Sequence, residues 1–151
     1  MTDSQVQGNW VDTTYIIQTN VQVASNATLT IAPGAIIKFD GNYNFEVRGS
    51  LIANGTETDS IIFEPNDANT TNGSSWQGIK IRDNSWDYTH KVELSYFRIS
   101  YASGGWPNAA LVVYNKYSDN SGVDSVMISH GEIHGSSQIG VNIRDNRRHT
   151  T

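Results

Sequence analysis

Ser129-His130-Gly131-Glu132-Ile133-His134-Gly135 carries the densest set of reactive side chains in the chain. Two imidazoles alternate with a carboxylate, and on an extended strand alternate residues share a face. Side chains so placed could act as acid and base or hold a metal ion. Arg144 and Asp145 lie downstream and complete a weak catalytic set of His130, Glu132, His134, Arg144 and Asp145. The competing reading, three exposed residues bordering a turn, is preferred. No metal site is assigned.

A second set is defined by repetition. Arg82, Tyr114 and Arg144 occupy one position in a recurring block, so on stacked strands they should form an outward row at about 4.8 Å per layer. Lys80, Val112 and Asn142 form the neighbouring outward row. An Arg-Tyr-Arg row would either bind a glycan or satisfy itself through cation–π contacts and salt bridges. Aromatic residues gather in the same half of the chain. Trp86, Tyr101 and Trp106 are the most loop-like, and exposed rings of this kind stack on sugar faces. The carbohydrate-binding set is therefore Trp86, Tyr101, Trp106, Arg82, Tyr114 and Arg144.

The composition narrows the classes. The formal net charge of -5 over 151 residues disfavours nucleic acid and acidic membranes as partners. The absence of cysteine excludes disulfides and thiolate metal sites. No apolar run approaches the roughly 20 residues that span a bilayer. Met1 to Gln5 has neither the basic nor the apolar region of a signal peptide. P-loop, dinucleotide, HExxH and Gly-x-Ser-x-Gly motifs are missing.

Short β-prone segments hold these residues. Tyr15-Ile16-Ile17, Val21-Gln22-Val23, Leu29-Thr30-Ile31, Ile36 to Phe39, Phe45-Glu46-Val47 and Leu51-Ile52 are separated by Gly, Asn, Asp and Pro turns. Ile61-Ile62-Phe63, Ile79-Lys80-Ile81, Val92-Glu93-Leu94, Leu111-Val112-Val113, Val126-Met127-Ile128 and Val141-Asn142-Ile143 follow. Gly78-Ile79-Lys80-Ile81-Arg82-Asp83-Asn84 recurs as Gly140-Val141-Asn142-Ile143-Arg144-Asp145-Asn146, with a degenerate copy starting at Ala110. Ile61, Val92 and Val126 head a second series preceding these copies. Spacings of about 30 residues indicate a solenoid. Stacked layers would place Ile79, Leu111 and Val141 in one inward row and Ile81, Val113 and Ile143 in another. The later layers are longer, and the added length falls in loops, including 64–75 and 115–122. The predicted fold class is all-β: a right-handed single-stranded parallel β-helix of about five coils, in one domain over 1–151.

Residues 23–39 and 47–56, followed by Ile61-Ile62-Phe63 and Trp76-Gln77-Gly78-Ile79, resemble bacterial right-handed parallel β-helix repeat proteins of the pectate-lyase-like superfamily. The resemblance covers roughly residues 8 to 146. It implies a non-catalytic module of a secreted or surface protein, binding carbohydrate or serving adhesion, with a polysaccharide or cell-surface glycan as partner and no membrane insertion. The alternatives are a polysaccharide lyase or glycoside hydrolase, and a structural spacer or assembly unit. His130-Gly131 is similar to the His-Gly pair of polygalacturonase-type hydrolases, but the accompanying Asn-x-Asp, Asp-Asp and Arg-x-Lys motifs are missing. The binding reading needs no cofactor, whereas a lyase would bring Ca2+ or a protein cation to stabilise developing charge. Gly8 to Thr14 should cap the first coil. The polar tail after Ile143 is too short to cover the last one. The chain is therefore expected to be a segment of a longer solenoid or to associate end to end.

Overall fold

The computed structural model describes residues 4–67, 76–82, 90–102, 108–115, 125–136 and 139–145. The expected loop aromatics Trp86 and Trp106, with Asp83, lie outside these residues. So does most of the loop length assigned to the later layers.

Every named strand pairing is parallel. The strands are β1 (Gly8–Trp10), β2 (Thr14–Ile17), β3 (Val21–Val23), β4 (Thr28–Ile31), β5 (Ile36–Phe39), β6 (Phe45–Val47) and β7 (Ser50–Asn54). They continue as β8 (Ile61–Pro65), β9 (Ile79–Arg82), β10 (Lys91–Ser100), β11 (Ala109–Asn115), β12 (Ser125–His134) and β13 (Ile139–Asp145). No helix occurs among the described residues. One sheet has the order β3-β6-β9-β11-β13. The other curls, because β10 joins two ladders: Val92 to Ser95 pair with β7, while Phe97 to Ile99 pair with β8. β12 follows β10 along both halves.

Alternation explains the layering. In β3, β6 and β8 every second residue is buried, and those residues include Val21, Val23, Phe45, Val47, Ile61 and Phe63. Parallel register stacks like on like. Ile79, Leu111 and Val141 share one row, and Ile81, Val113 and Ile143 the next, as the repeated block requires. Phe39, Phe45, Phe63 and Trp76 are the bulkiest fully buried side chains of the core. The Trp76 ring stacks on Phe39 at 4.1 Å, and its indole N–H donates to the Ser100 carbonyl. Trp76 is thus a packing residue with a satisfied polar handle.

The strand bends rather than stops at two corners. Tyr96 (φ 46°) and His130 (φ 49°) adopt the left-handed conformation within β10 and β12. Such a residue turns the backbone without a loop, at a cost of about 1–2 kcal/mol for a non-glycine side chain. This corner corrects one alignment. Ile61 does not stand in register with Val92; it pairs with Phe97, and Val92 pairs with Leu51. Between β7 and β8 the chain spends residues 55–60 on a turn, whereas Tyr96 alone spans the same corner.

Polar ladders follow the same register at the turns. Gln18 and Asn66 both donate to the Asp40 carboxylate. Asn54 donates to Glu93, and Ser95 donates to Asn54. At the N-terminal end, the Val6 N–H donates to the Gln22 carbonyl and the Gln22 N–H to that of Ser4. The Tyr15 ring stacks on buried Trp10. Gly8 to Trp10 is a strand paired to β4, and residues 4–6 border β3.

Candidate functional site

The arginine row lies on the sheet β3-β6-β9-β11-β13. Phe45, Ile79 and Leu111 are in register, as are Val47, Ile81 and Val113, all buried. The residues between them therefore face away from that core. Glu46, Lys80, Val112 and Asn142 form one outer row. Arg82, Tyr114 and Arg144 form the next, and Arg48 follows Val47 in step with Arg82.

Glu46 is the hub. Its carboxylate accepts from Gln22 Nε2 at 2.9 Å and from Arg48 Nη2 at 3.3 Å. Arg82 Nη1 lies 3.6 Å from Glu46 Oε1. The Arg82 guanidinium carbon also stands 5.5 Å from the centre of the Tyr114 ring, within cation–π range. Arg48 Nε is 3.2 Å from Glu46 Oε1 but lacks hydrogen-bond geometry. The Nε atoms of Arg48 and Arg82 are both buried without an acceptor.

The neighbouring row departs from expectation. Lys80, Val112 and Asn142 are in register, but Lys80 and Val112 are 6% and 0% exposed, so the sheet is enclosed on both sides there. Lys80 Nζ donates to Gln77 Oε1. Burial holds the Lys80 pKa below its ordinary value; the Arg82 charge adds to this, and Glu46 opposes it. Among the described residues the cluster holds three cations around one carboxylate, with two buried N–H donors to spare. Such an arrangement suits an anionic ligand, since guanidinium groups form charge-assisted bonds to carboxylate or sulfate oxygens.

The His130 region is organised by layers rather than by its own alternation. Each side chain meets the strand beneath it. His130 stacks on Tyr96 at 4.4 Å with the rings 10° from parallel. Glu132 accepts from Arg98 Nε at 3.0 Å. His134 meets Tyr101 edge to face at 5.4 Å. The corner at His130 breaks the simple face on which His130, Glu132 and His134 were expected to converge. Among the described residues no group of three His, Asp or Glu side chains is arranged to hold a metal. Arg144 and Asp145 belong to β13 on the other sheet, opposite Tyr114 and Asn115.

The structure thus brings Arg82 and Tyr114 together and places Arg144 next in their row. Tyr101 stands apart, with His134. Sequence reasoning missed Glu46 and Arg48. The signal was present: Phe45-Glu46-Val47-Arg48 has the same pattern as Ile79-Lys80-Ile81-Arg82. It also missed Tyr96, whose role depends on a backbone corner that composition does not mark.

Comparison with known proteins finds no matching family model, no matching curated protein and no matching solved structure.

Proposed function

We propose that this chain is a non-catalytic carbohydrate-binding module that holds an acidic polysaccharide along the Arg48-Arg82-Tyr114-Arg144 row. The observation carrying this reading is the imbalance at Glu46: among the described residues Arg48, Arg82 and buried Lys80 surround one carboxylate, and the Nε donors of both arginines lack acceptors there. A uronate or sulfate group would supply the missing oxygens, and the Tyr114 ring an apolar platform for a sugar face. Successive row positions advance about 4.8 Å per layer, close to the length of one sugar unit in an extended chain.

The scaffold we propose is one right-handed β-helix of five coils, each contributing a strand to each of three ladders. The ladders β3-β6-β9-β11-β13, β1-β4-β7-β10-β12 and β2-β5-β8-β10-β12 support it. Crossover connections between parallel strands are right-handed in nearly every known case, which supports the hand. The resemblance of residues 8 to 146 to bacterial β-helix repeat proteins supports a place in a secreted or cell-surface protein.

Calorimetric titration with a polyuronate, a sulfated glycan and a neutral glucan tests the binding reading. Binding of an acidic polymer that weakens with added salt and falls at least about fivefold in Arg82→Ala is expected. Equal binding of the neutral glucan, or an acidic polymer bound as well by Arg82→Ala as by the wild type, would remove it.

A further inference from the structure

The outer positions of the sheet β3-β6-β9-β11-β13 carry a different charge in each layer. The register sets Gln22 beside Glu46, Glu46 beside Lys80, Lys80 beside Val112, and Val112 beside Asn142. Two residues further along each strand, the parallel column runs Ala24, Arg48, Arg82, Tyr114 and the position of Arg144. At these positions the β3 layer is uncharged, and the β6 layer holds one carboxylate and one guanidinium. The β9 layer holds two cations, and the β11 layer holds none. The next arginine position lies two layers beyond Arg82, at about 9.6 Å.

Distances decide where the positive charge is left over. Glu46 is held most closely by Arg48, whose Nε and Nη2 lie 3.2 and 3.3 Å from its two oxygens. Arg82 stands farther off, with Nη1 3.6 Å from Oε1. The β6 layer is thus close to neutral within itself, and the surplus sits on β9. There the Arg82 side chain is 33% exposed, whereas Lys80 is 6% exposed. Arg82 meets the solvent, and Lys80 adds its charge from beneath. In the β11 layer Val112 is fully buried and Tyr114 is half-buried. An anion placed at that layer would lose hydration without gaining a cation, which is unfavourable. An anion placed at β6 would meet the like charge of Glu46.

We infer that the row selects a linear polysaccharide in which acidic and uncharged sugars alternate. The inference rests on the glycan reading above and names the repeat that this site takes. With one sugar per layer, an acidic sugar sits at Arg82, an uncharged sugar packs at Tyr114, and the next acidic sugar falls at the position of Arg144. A polymer acidic at every unit would set one carboxylate against the apolar β11 layer and another beside Glu46. Tyr114 is therefore a specificity-determining residue: it interrupts the column of cations as well as supplying a ring. Selection comes from the misplaced charges of the wrong polymer as much as from contacts with the right one.

Calorimetric titration at one ionic strength tests this with oligosaccharides of equal length. One is a hyaluronan fragment, whose uronate alternates with an uncharged N-acetylated sugar. The other is oligogalacturonate, acidic at every unit. The hyaluronan fragment should bind the wild type at least about fivefold tighter, although it carries fewer charges. Tyr114→Arg fills the gap in the column. It should tighten oligogalacturonate at least about fivefold and remove the preference, while Tyr114→Phe should keep it. Melting midpoints check that both variants fold, and the wild-type comparison stands whether or not Tyr114→Arg does. Oligogalacturonate bound by the wild type as tightly as hyaluronan would overturn the inference and leave the glycan reading in place. A folded Tyr114→Arg with the wild-type preference would do the same. Failure of both oligosaccharides to bind would also overturn it, and the sulfated glycan would then decide the fate of the glycan reading.

Discussion

The guanidinium of Arg82 lies between the Tyr114 ring, 5.5 Å from its centre, and the Glu46 carboxylate, 3.6 Å from Nη1. The three residues come from three successive layers of one sheet, β6, β9 and β11. Position along the sequence is thereby converted into a column on the surface.

This column predicts a separation of stability from binding. Both Arg82 contacts are partly exposed, and such pairs contribute on the order of 1 kcal/mol or less. Tyr114→Leu should therefore unfold in urea within about 1 kcal/mol of the wild type while losing acidic-glycan affinity in titration. Arg82→Lys should keep the charge but recover only part of the affinity, because an ammonium group lacks the planar fork.

Trp76 should dominate the stability of the core. It is fully buried against Phe39, and its N–H satisfies the Ser100 carbonyl. Trp76→Ala should cost about 3–5 kcal/mol in chemical denaturation. Trp76→Phe should cost less, retaining an apolar ring but leaving a buried acceptor unpaired.

The corner at His130 makes a backbone prediction. A glycine suits φ 49° better than any L residue. His130→Gly should be more stable than His130→Ala by about 1 kcal/mol, although both lose the stack on Tyr96. Gly131→Ala should be destabilising in the same assay, because an added Cβ would fall against the Phe97 ring, closer to Cζ than any real contact allows.

Acid should unfold the protein through its polar ladders. Hydrogen bonds from Asn66 and then Gln18 hold the Asp40 pKa below its ordinary 3.8. Bonds from Lys91 and Asn54 hold Glu93 below 4.5. A depressed folded pKa means that the unfolded chain binds protons first as pH falls. Stability from these groups is full above their ordinary values and is lost as pH falls through the folded ones. Asp40→Asn should flatten the fall in melting temperature below about pH 4. Lys80 acts in another window. Its lowered pKa means that stability rises with pH between the folded value and the ordinary 10.5, and Lys80→Met should remove that rise.

What the sequence determined by itself was the material of the fold. All twelve short apolar segments read from it lie within strands, and the repeated block correctly set Leu111 on Ile79 and Val113 on Ile81. Alternation and repetition are local or periodic signals, and inward stacking follows once parallel layers form. Only the tertiary structure decided which residues meet. Ile61 moved from the Val92 ladder to that of Phe97 because one left-handed residue, Tyr96, replaces the turn that residues 55–60 make one layer earlier. Lys80 and Val112 kept their register but not the exposure that alternation assigned them. His130, Glu132 and His134 alternate in the chain, yet each side chain meets the layer below. In stacked parallel strands the nearest neighbour of a side chain lies in the adjacent layer, and sequence spacing does not measure that distance.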